Sequence, residues 1–225
     1  MSKLHWKAGT MLYPVPAVMV SCGHDATANI ITVAWAGTVC TNPAMLSISI
    51  RKERHSYDLI VNQGDFVVNL STKALVKATD FCGVKSGRDV DKFSVLNLTK
   101  EKAVHVKSPL IKESPLNIEC RVKTVMALGS HDLIIAEVLG VNVDASLLNE
   151  TGKLELDKAG LIAYSHGGYF ELGPLLGTFG YSVKKQGKPL KKNNSKKPHP
   201  KKNTVKERTS KQKKSFSKTS HKKQL

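Results

Sequence analysis

The β-branched residues of this chain fall in short runs, each bounded by Gly, Asn, Pro or Asp, and that punctuation restricts it to folds built from many short strands. "VPAVMVS" (15–21), "NIITVAWAG" (29–37), "MLSISIR" (45–51) and "FVVNLS" (66–71) are four such runs, and "LNIECRVKTVMAL" (116–128) and "DLIIAEVLGVNVD" (132–144) are two more. In 116–128, Ile118, Cys120 and Val122 alternate with Glu119, Arg121 and Lys123, the pattern of a sheet buried on one face and wet on the other. Helices are predicted over 56–63, 73–83 and 89–93. They are too few and too short to cover both faces of a parallel sheet, so the expected class is mainly β with short helices, closed or nearly closed into a barrel.

Charge separates the chain into two parts. Of 35 Lys and Arg, 17 lie between Lys184 and Leu225 with a single acid, Glu207; the preceding 183 residues carry 18 basic and 17 acidic side chains. The high net charge therefore belongs to the tail, and the body is nearly neutral. The tail is polar and nearly free of aromatics, so it buries too little apolar surface to offset its ordering entropy; disorder is expected over 184–225, with the folded domain at 1–183. Such a segment either binds polyanions (nucleic acid or an anionic membrane) nonspecifically or acts as a solvated extension.

Cys22, Cys40, Cys82 and Cys120 form no C-x-x-C pair, and the histidines show no metal-binding spacing, so neither a zinc site nor a dithiol centre is indicated. Reduced thiols, the absence of a signal-like apolar stretch at the start and the lack of a spanning segment point to a cytoplasmic protein.

Several polar clusters interrupt the apolar pattern. On 45–51, Ser47, Ser49 and Arg51 share one face opposite Leu46, Ile48 and Ile50, which makes either a solvent-facing strand or an anion-binding strip. Ser56 follows as the expected N-cap of a helix, and a helix start is also an anion site. Asn29 and Thr32 lie in an otherwise apolar run ending at Trp35, and each needs a hydrogen-bond partner, from a ligand or from an edge-strand turn. "SGRDVDKF" (86–93) packs two cations and two acids behind a Ser-Gly pair, and reads either as a solvated turn opening a helix or as part of a site. His131, after the "GS" of "GSHDL", is a structural or a functional histidine.

In order, "YPVPAVMVS", "ANIITVAW", "NPAMLSISIRKERHSYDLI", "GDFVVNL", "GVKSGRDVDKF", "LNIECRV" and "GSHDLIIAEVLGV" resemble the flavin reductase family with the FMN-binding split-barrel fold, in particular its flavoredoxin-like branch, over about residues 10–175. The resemblance implies FMN held noncovalently at a homodimer interface. Asn29, Thr32 and Trp35 would line the flavin and its ribityl chain. Ser49, Arg51 and Ser56 would approach the phosphate. Ser86, Gly87, Asp91 and Lys92 would form a turn over the cofactor, with Lys92 supplying positive charge. His131 would lie near the ring and the nicotinamide face, and Tyr164 beside the ring. The implied activity is transfer of electrons from NAD(P)H through FMN to free flavin, ferric complexes or a redox partner, the alternative being an FMN electron carrier with little NAD(P)H activity. The chain departs from better known flavin reductases in having "GSHD" where they carry "GDH". "GPLLGTFG" (173–180) lacks the spacing of a dinucleotide fingerprint, so NAD(P)H would bind transiently on the flavin.

Overall fold

Seven strands of the computed structural model, which describes residues 1–184, form one antiparallel sheet whose two edges are brought back toward each other. In chain order the strands are β1 (Val15–Pro16), β2 (Val18–Cys22), β3 (Asn29–Val33), β4 (Ala36–Thr41), β5 (Ala44–Ile50), β6 (Asp65–Leu70), β7 (Lys100–Glu101), β8 (Leu110–Ile111), β9 (Leu116–Ala127), β10 (Asp132–Val143), β11 (Ile162–Ser165) and β12 (Gly168–Glu171). Helices α1 (His55–Gln63), α2 (Val76–Val84) and α3 (Lys92–Val95) are inserted among them. The large sheet runs β3-β2-β6-β9-β10-β5-β4, and β1-β11-β12 form a smaller one.

The order of the large sheet dictates its shape. β3 and β4 stand at opposite edges, yet only Ala34 and Trp35 separate them. Six strand intervals laid flat span about 29 Å at ~4.8 Å each, whereas the path from Val33 to Ala36 reaches about 11 Å at most. The sheet must therefore curl until its edges nearly meet, which makes a barrel with one seam. β4 pairs with β5 only from Ala44 to Ile48, and the backbone bond from Ser49 N to Trp35 O at 2.9 Å extends that pairing by one residue, so the end of β5 runs beside β3 across the seam.

Inside the barrel Val18, Val20, Ile31, Val33, Ile48, Ile50, Phe66 and Ile134 make the main core, and Ile60 of α1 joins it. α1 ends at Gly64, whose left-handed φ of 77° lets its N–H reach back to Ile60 O. A second cluster of Met19, Ile30, Ala78, Cys82 and Phe93 packs α2 and α3 on the outer face of β2 and β3, which are therefore buried on both sides.

Four sequence expectations change. The run 29–37 is two strands broken at Ala34–Trp35, because the chain there crosses between sheet edges. The run 15–21 is likewise interrupted at Ala17. The face of β9 expected to be wet is wet only from Arg121 onward: Glu119 is fully buried beneath the segment 103–106. Its carboxylate accepts the N–H groups of Val104 and His105 and the amide of Asn142, which satisfies a charge that burial alone would not tolerate. The helix expected over 89–93 begins at Lys92, with Asp91 as its cap. Contacts divide the chain after Leu176; the tail beyond Lys184 lies outside the described residues.

Candidate functional site

The seam opens into a groove of three connected cavities. The first, about 260 Å³, is lined by the loop before α1, by the start of α1 and by residues 85–88. Five cationic side chains surround it, Arg51, Arg54, Lys85, Arg88 and Lys92, against one carboxylate, Glu53. The second, about 140 Å³, runs along the seam between residues 31–35 and 49–51 and reaches His131. The third, about 670 Å³, is bounded by residues 9–12, Trp35, Ser49, Leu128, Ser130 and His131. Arg51 and Arg54 are common to the first two cavities, and Trp35, Ser49 and His131 to the last two, so the groove passes from a cationic end to an apolar one.

Local structure explains the cationic end. α1 is capped at Arg54 in an extended conformation, and no side chain caps its first turn. Ser56 is thus not the expected N-cap but a buried residue of the first turn, whose Oγ accepts from Asn29 Nδ2 at 2.8 Å. Arg54, His55 and Ser56 at this helix start line the cavity, on the positive end of the helix dipole. Opposite, residues 86–89 form a turn, with Arg88 N donating to Ser86 Oγ at 3.2 Å and Asp89 N to Ser86 O at 3.3 Å. Position 87 favours glycine, because a Cβ there would stand 2.3 Å from Asn29 Oδ1 and would have to displace the Asn29 amide. Asp91 accepts from the N–H groups of Phe93 and Ser94, which fixes the end of the turn.

Lys92 is buried at 3% exposure, and its Nζ donates to Ile30 O at 2.6 Å and Cys82 O at 3.0 Å. An ammonium has three protons, so one is left for the cavity that the side chain lines. Burial pulls the Lys92 pKa below the ordinary lysine range; an anion in the cavity acts in the opposite direction and favours the ammonium. Cys82, on the same wall, is pushed up to about 11 by burial, so it is no nucleophile at neutral pH.

Along the seam the expected residues come together in part. Asn29, Arg51, Ser56, Ser86, Gly87 and Lys92 line the first cavity, and Thr32, Trp35, Ser49 and His131 the second. The Thr32 hydroxyl already has a partner, the carbonyl of Thr79 on α2, and the Asn29 Nδ2 group has Ser56 Oγ, so neither of these donors needs a ligand. His131 sits on the β9–β10 turn, with Nδ1 at 2.9 Å from Ser130 Oγ. Tyr164 does not line the groove. It lies in the small sheet, where its ring packs edge-on against Tyr13 at 6.2 Å, and Tyr13 in turn stands 6.2 Å from Trp35.

Residues that sequence reasoning passed over complete the site. Arg88 lies inside "SGRDVDKF" itself and reaches Glu53 O at 3.1 Å; Arg51 pairs with Glu53 at 3.2 Å. Arg54 and Lys85 are exposed, and their side chains make no hydrogen bond or ion pair among the described residues. The density of cations in "RKERHS" before a helix was the available signal. Next to His131, the buried carboxylate of Asp132 accepts from the Tyr57 hydroxyl at 2.6 Å and stands 3.5 Å from Lys52 Nζ.

Comparison with known proteins bears on the family and the fold. The model of the family described as "Flavin reductase like domain" matches residues 10–173. The chain belongs to this family. Flavoredoxin of Desulfovibrio vulgaris (Miyazaki F) superposes with a TM-score of 0.75 at 30% identity, over 81% of this chain and 100% of that one. Flavoredoxin from Methanosarcina acetivorans gives 0.74 at 26% identity, over 82% and 98%. An uncharacterized protein of Archaeoglobus fulgidus is 34% identical over 130 residues, 58% of this chain and 73% of the relative. The fold of this flavin reductase-like chain is thus the mainly β split barrel of its structural neighbours. Among the described residues no helix is long and apolar enough to cross a membrane, and no group of His, Cys, Asp and Glu is arranged to hold a metal ion.

Proposed function

We propose that this chain is an FMN-dependent oxidoreductase that passes electrons from NAD(P)H to free flavin, a ferric complex or a redox partner. The observation that carries the reading is the convergence on one cavity of an uncapped helix start, a Ser-Gly turn packed closely against the Asn29 amide, and a buried lysine with a proton to spare. A phosphate monoester, with close to two negative charges, matches that donor set. Bound FMN would supply reversible hydride and electron transfer at its ring. Arg51, Ser56, Ser86, Gly87, Arg88 and Lys92 would hold its phosphate, Asn29 and Thr32 would border the ribityl chain, and Trp35 would flank the ring together with Ser49, which lines the seam and the chamber and not the expected cationic cavity. Asp91 keeps the phosphate turn in shape. His131 stands at the mouth shared by the seam and the apolar chamber, where it would orient a donor or acceptor through its ring nitrogens.

The apolar chamber supports a homodimer with the groove at its interface: Met11, Leu12 and Leu128 are 55%, 86% and 58% exposed on its wall, and pairing would cover them. In such a dimer Tyr164 would approach the ring only through Tyr13 and Trp35 or from the partner. The four free cysteines fit a cytoplasmic location, and the basic tail adds nonspecific polyanion binding.

A second reading, an FMN electron carrier with little nicotinamide activity, is favoured by the 30% identity to a flavoredoxin. The deciding experiment is the absorbance spectrum of the FMN-reconstituted protein before and after anaerobic addition of NADH or NADPH. Flavin bands near 1:1 per chain that bleach with either nucleotide support the reductase. Bands that persist support the carrier, and a chain that retains no flavin overturns both readings.

A further inference from the structure

The cationic end of the groove holds more charge than one phosphate engages. Lys92 and the 86–88 turn form one wall, and Arg51 is tied to Glu53. Arg54 is different. Its side chain is exposed, has no hydrogen-bond or ion-pair partner among the described residues, and borders both the phosphate cavity and the seam that leads to Trp35 and His131. An unpaired guanidinium at such a waist offers a fork of donors to an anion that is not the resident one. The apolar chamber next to His131 has room for a planar group. A ligand with a planar end in that chamber and a phosphate directed along the seam would meet Arg54, with Lys85 further along the same rim.

We infer that Arg54 is the specificity residue for a phosphorylated second ligand that occupies the groove transiently beside the resident flavin. This rests on the FMN reading above. The shared chemistry is a phosphate attached to a planar heterocycle, and two sources fit it: the pyrophosphate of a reduced nicotinamide dinucleotide as donor, or the phosphate of free FMN as acceptor. A site built this way discriminates by charge, so it weakens with salt for phosphorylated ligands and not for neutral analogues.

The test uses the full-length FMN-loaded chain and its Arg54→Gln variant, with Lys112→Gln as a control for loss of one exposed cation away from the groove. Anaerobic stopped-flow reduction of the bound flavin is followed with NADH and with N-benzyl-1,4-dihydronicotinamide, which carries no phosphate. Steady-state consumption of the benzyl donor is then followed with FMN or riboflavin as acceptor. The expected result is a roughly tenfold weaker half-saturation, about 1.4 kcal/mol, for NADH or for free FMN in R54Q. The benzyl donor and riboflavin keep their values, and K112Q matches wild type. Loss confined to NADH assigns the donor as the source, and loss confined to FMN assigns the acceptor; either supports the inference. Equal loss for charged and neutral ligands, no loss, or a bound flavin that neither donor reduces would overturn it. A raised dissociation constant for resident FMN in R54Q would overturn it as well, by placing Arg54 in the cofactor's phosphate site, while leaving the FMN reading intact. A wild-type chain that binds no FMN removes that reading and this inference with it, and shows so in the initial spectrum.

Discussion

At the scale of single residues the site depends on close approaches that tolerate little change. An alanine at position 87 would force the Asn29 amide away and break its 2.8 Å bond to Ser56, so both walls of the cationic cavity would move. Gly87→Ala is expected to weaken FMN binding by about tenfold, ~1.4 kcal/mol, while the apo-protein melts within a few degrees of wild type; a fluorescence titration with FMN and a thermal melt check the pair. His131 has no bond to the core beyond its own turn, so His131→Ala should retain FMN content and lose turnover. Equal loss of both would show a binding or folding role. The sequence made Gly87, Asp91 and Lys92 visible as a cluster, since Ser-Gly beside alternating charges marks a turn. It did not show that Lys92 is buried, because a lysine in a charged octapeptide reads as solvated until the carbonyls of Ile30 and Cys82, far away in the chain, are brought to it.

At the scale of elements, the strands legible in advance were those buried on at least one face, where β-branched residues accumulate. β4, "AGTVCT", is an exposed edge, and β11 and β12 are four-residue strands of a small sheet; none has enough apolar periodicity to stand out. The misread outer face of β9 has one cause. Period-2 alternation reports which side chains share a face, and says nothing of a loop that later covers that face. Glu119 makes the covering stable. Burial by itself raises its carboxyl, and the donors from Asn142, His105 and Val104 outweigh that and hold it below the ordinary carboxylate range. A depressed folded-state value contributes stability above the unfolded carboxyl's ordinary value, and the contribution is lost as pH falls through the lower one. Glu119→Gln is therefore expected to cost roughly 2–3 kcal/mol at pH 7, and urea melts should show the gap to wild type closing in acid. A gap independent of pH would mean that the carboxylate charge is not what holds the segment.

At the scale of the whole molecule the two residues Ala34 and Trp35 fix how far the sheet curls, and so fix the width of the groove. Two glycines inserted between them would add little closure entropy and leave the cores of the barrel and of its outer face in place. The expected outcome is an unchanged far-ultraviolet circular dichroism spectrum with FMN affinity reduced at least tenfold; an affinity equal to wild type would show that the link does not set the groove. FMN bound only to the folded state should also raise the stability of the wild type by about 2.7 kcal/mol at a hundredfold excess over its dissociation constant.

The seam has a kinetic meaning too. One side of the groove is the free edge of β3 and the other is the end of β5 that β4 leaves uncovered. A molecule lodged there touches two borders that can part without unzipping any ladder. Its residence time is then governed by how often the barrel breathes along this line, and escape becomes a gated event.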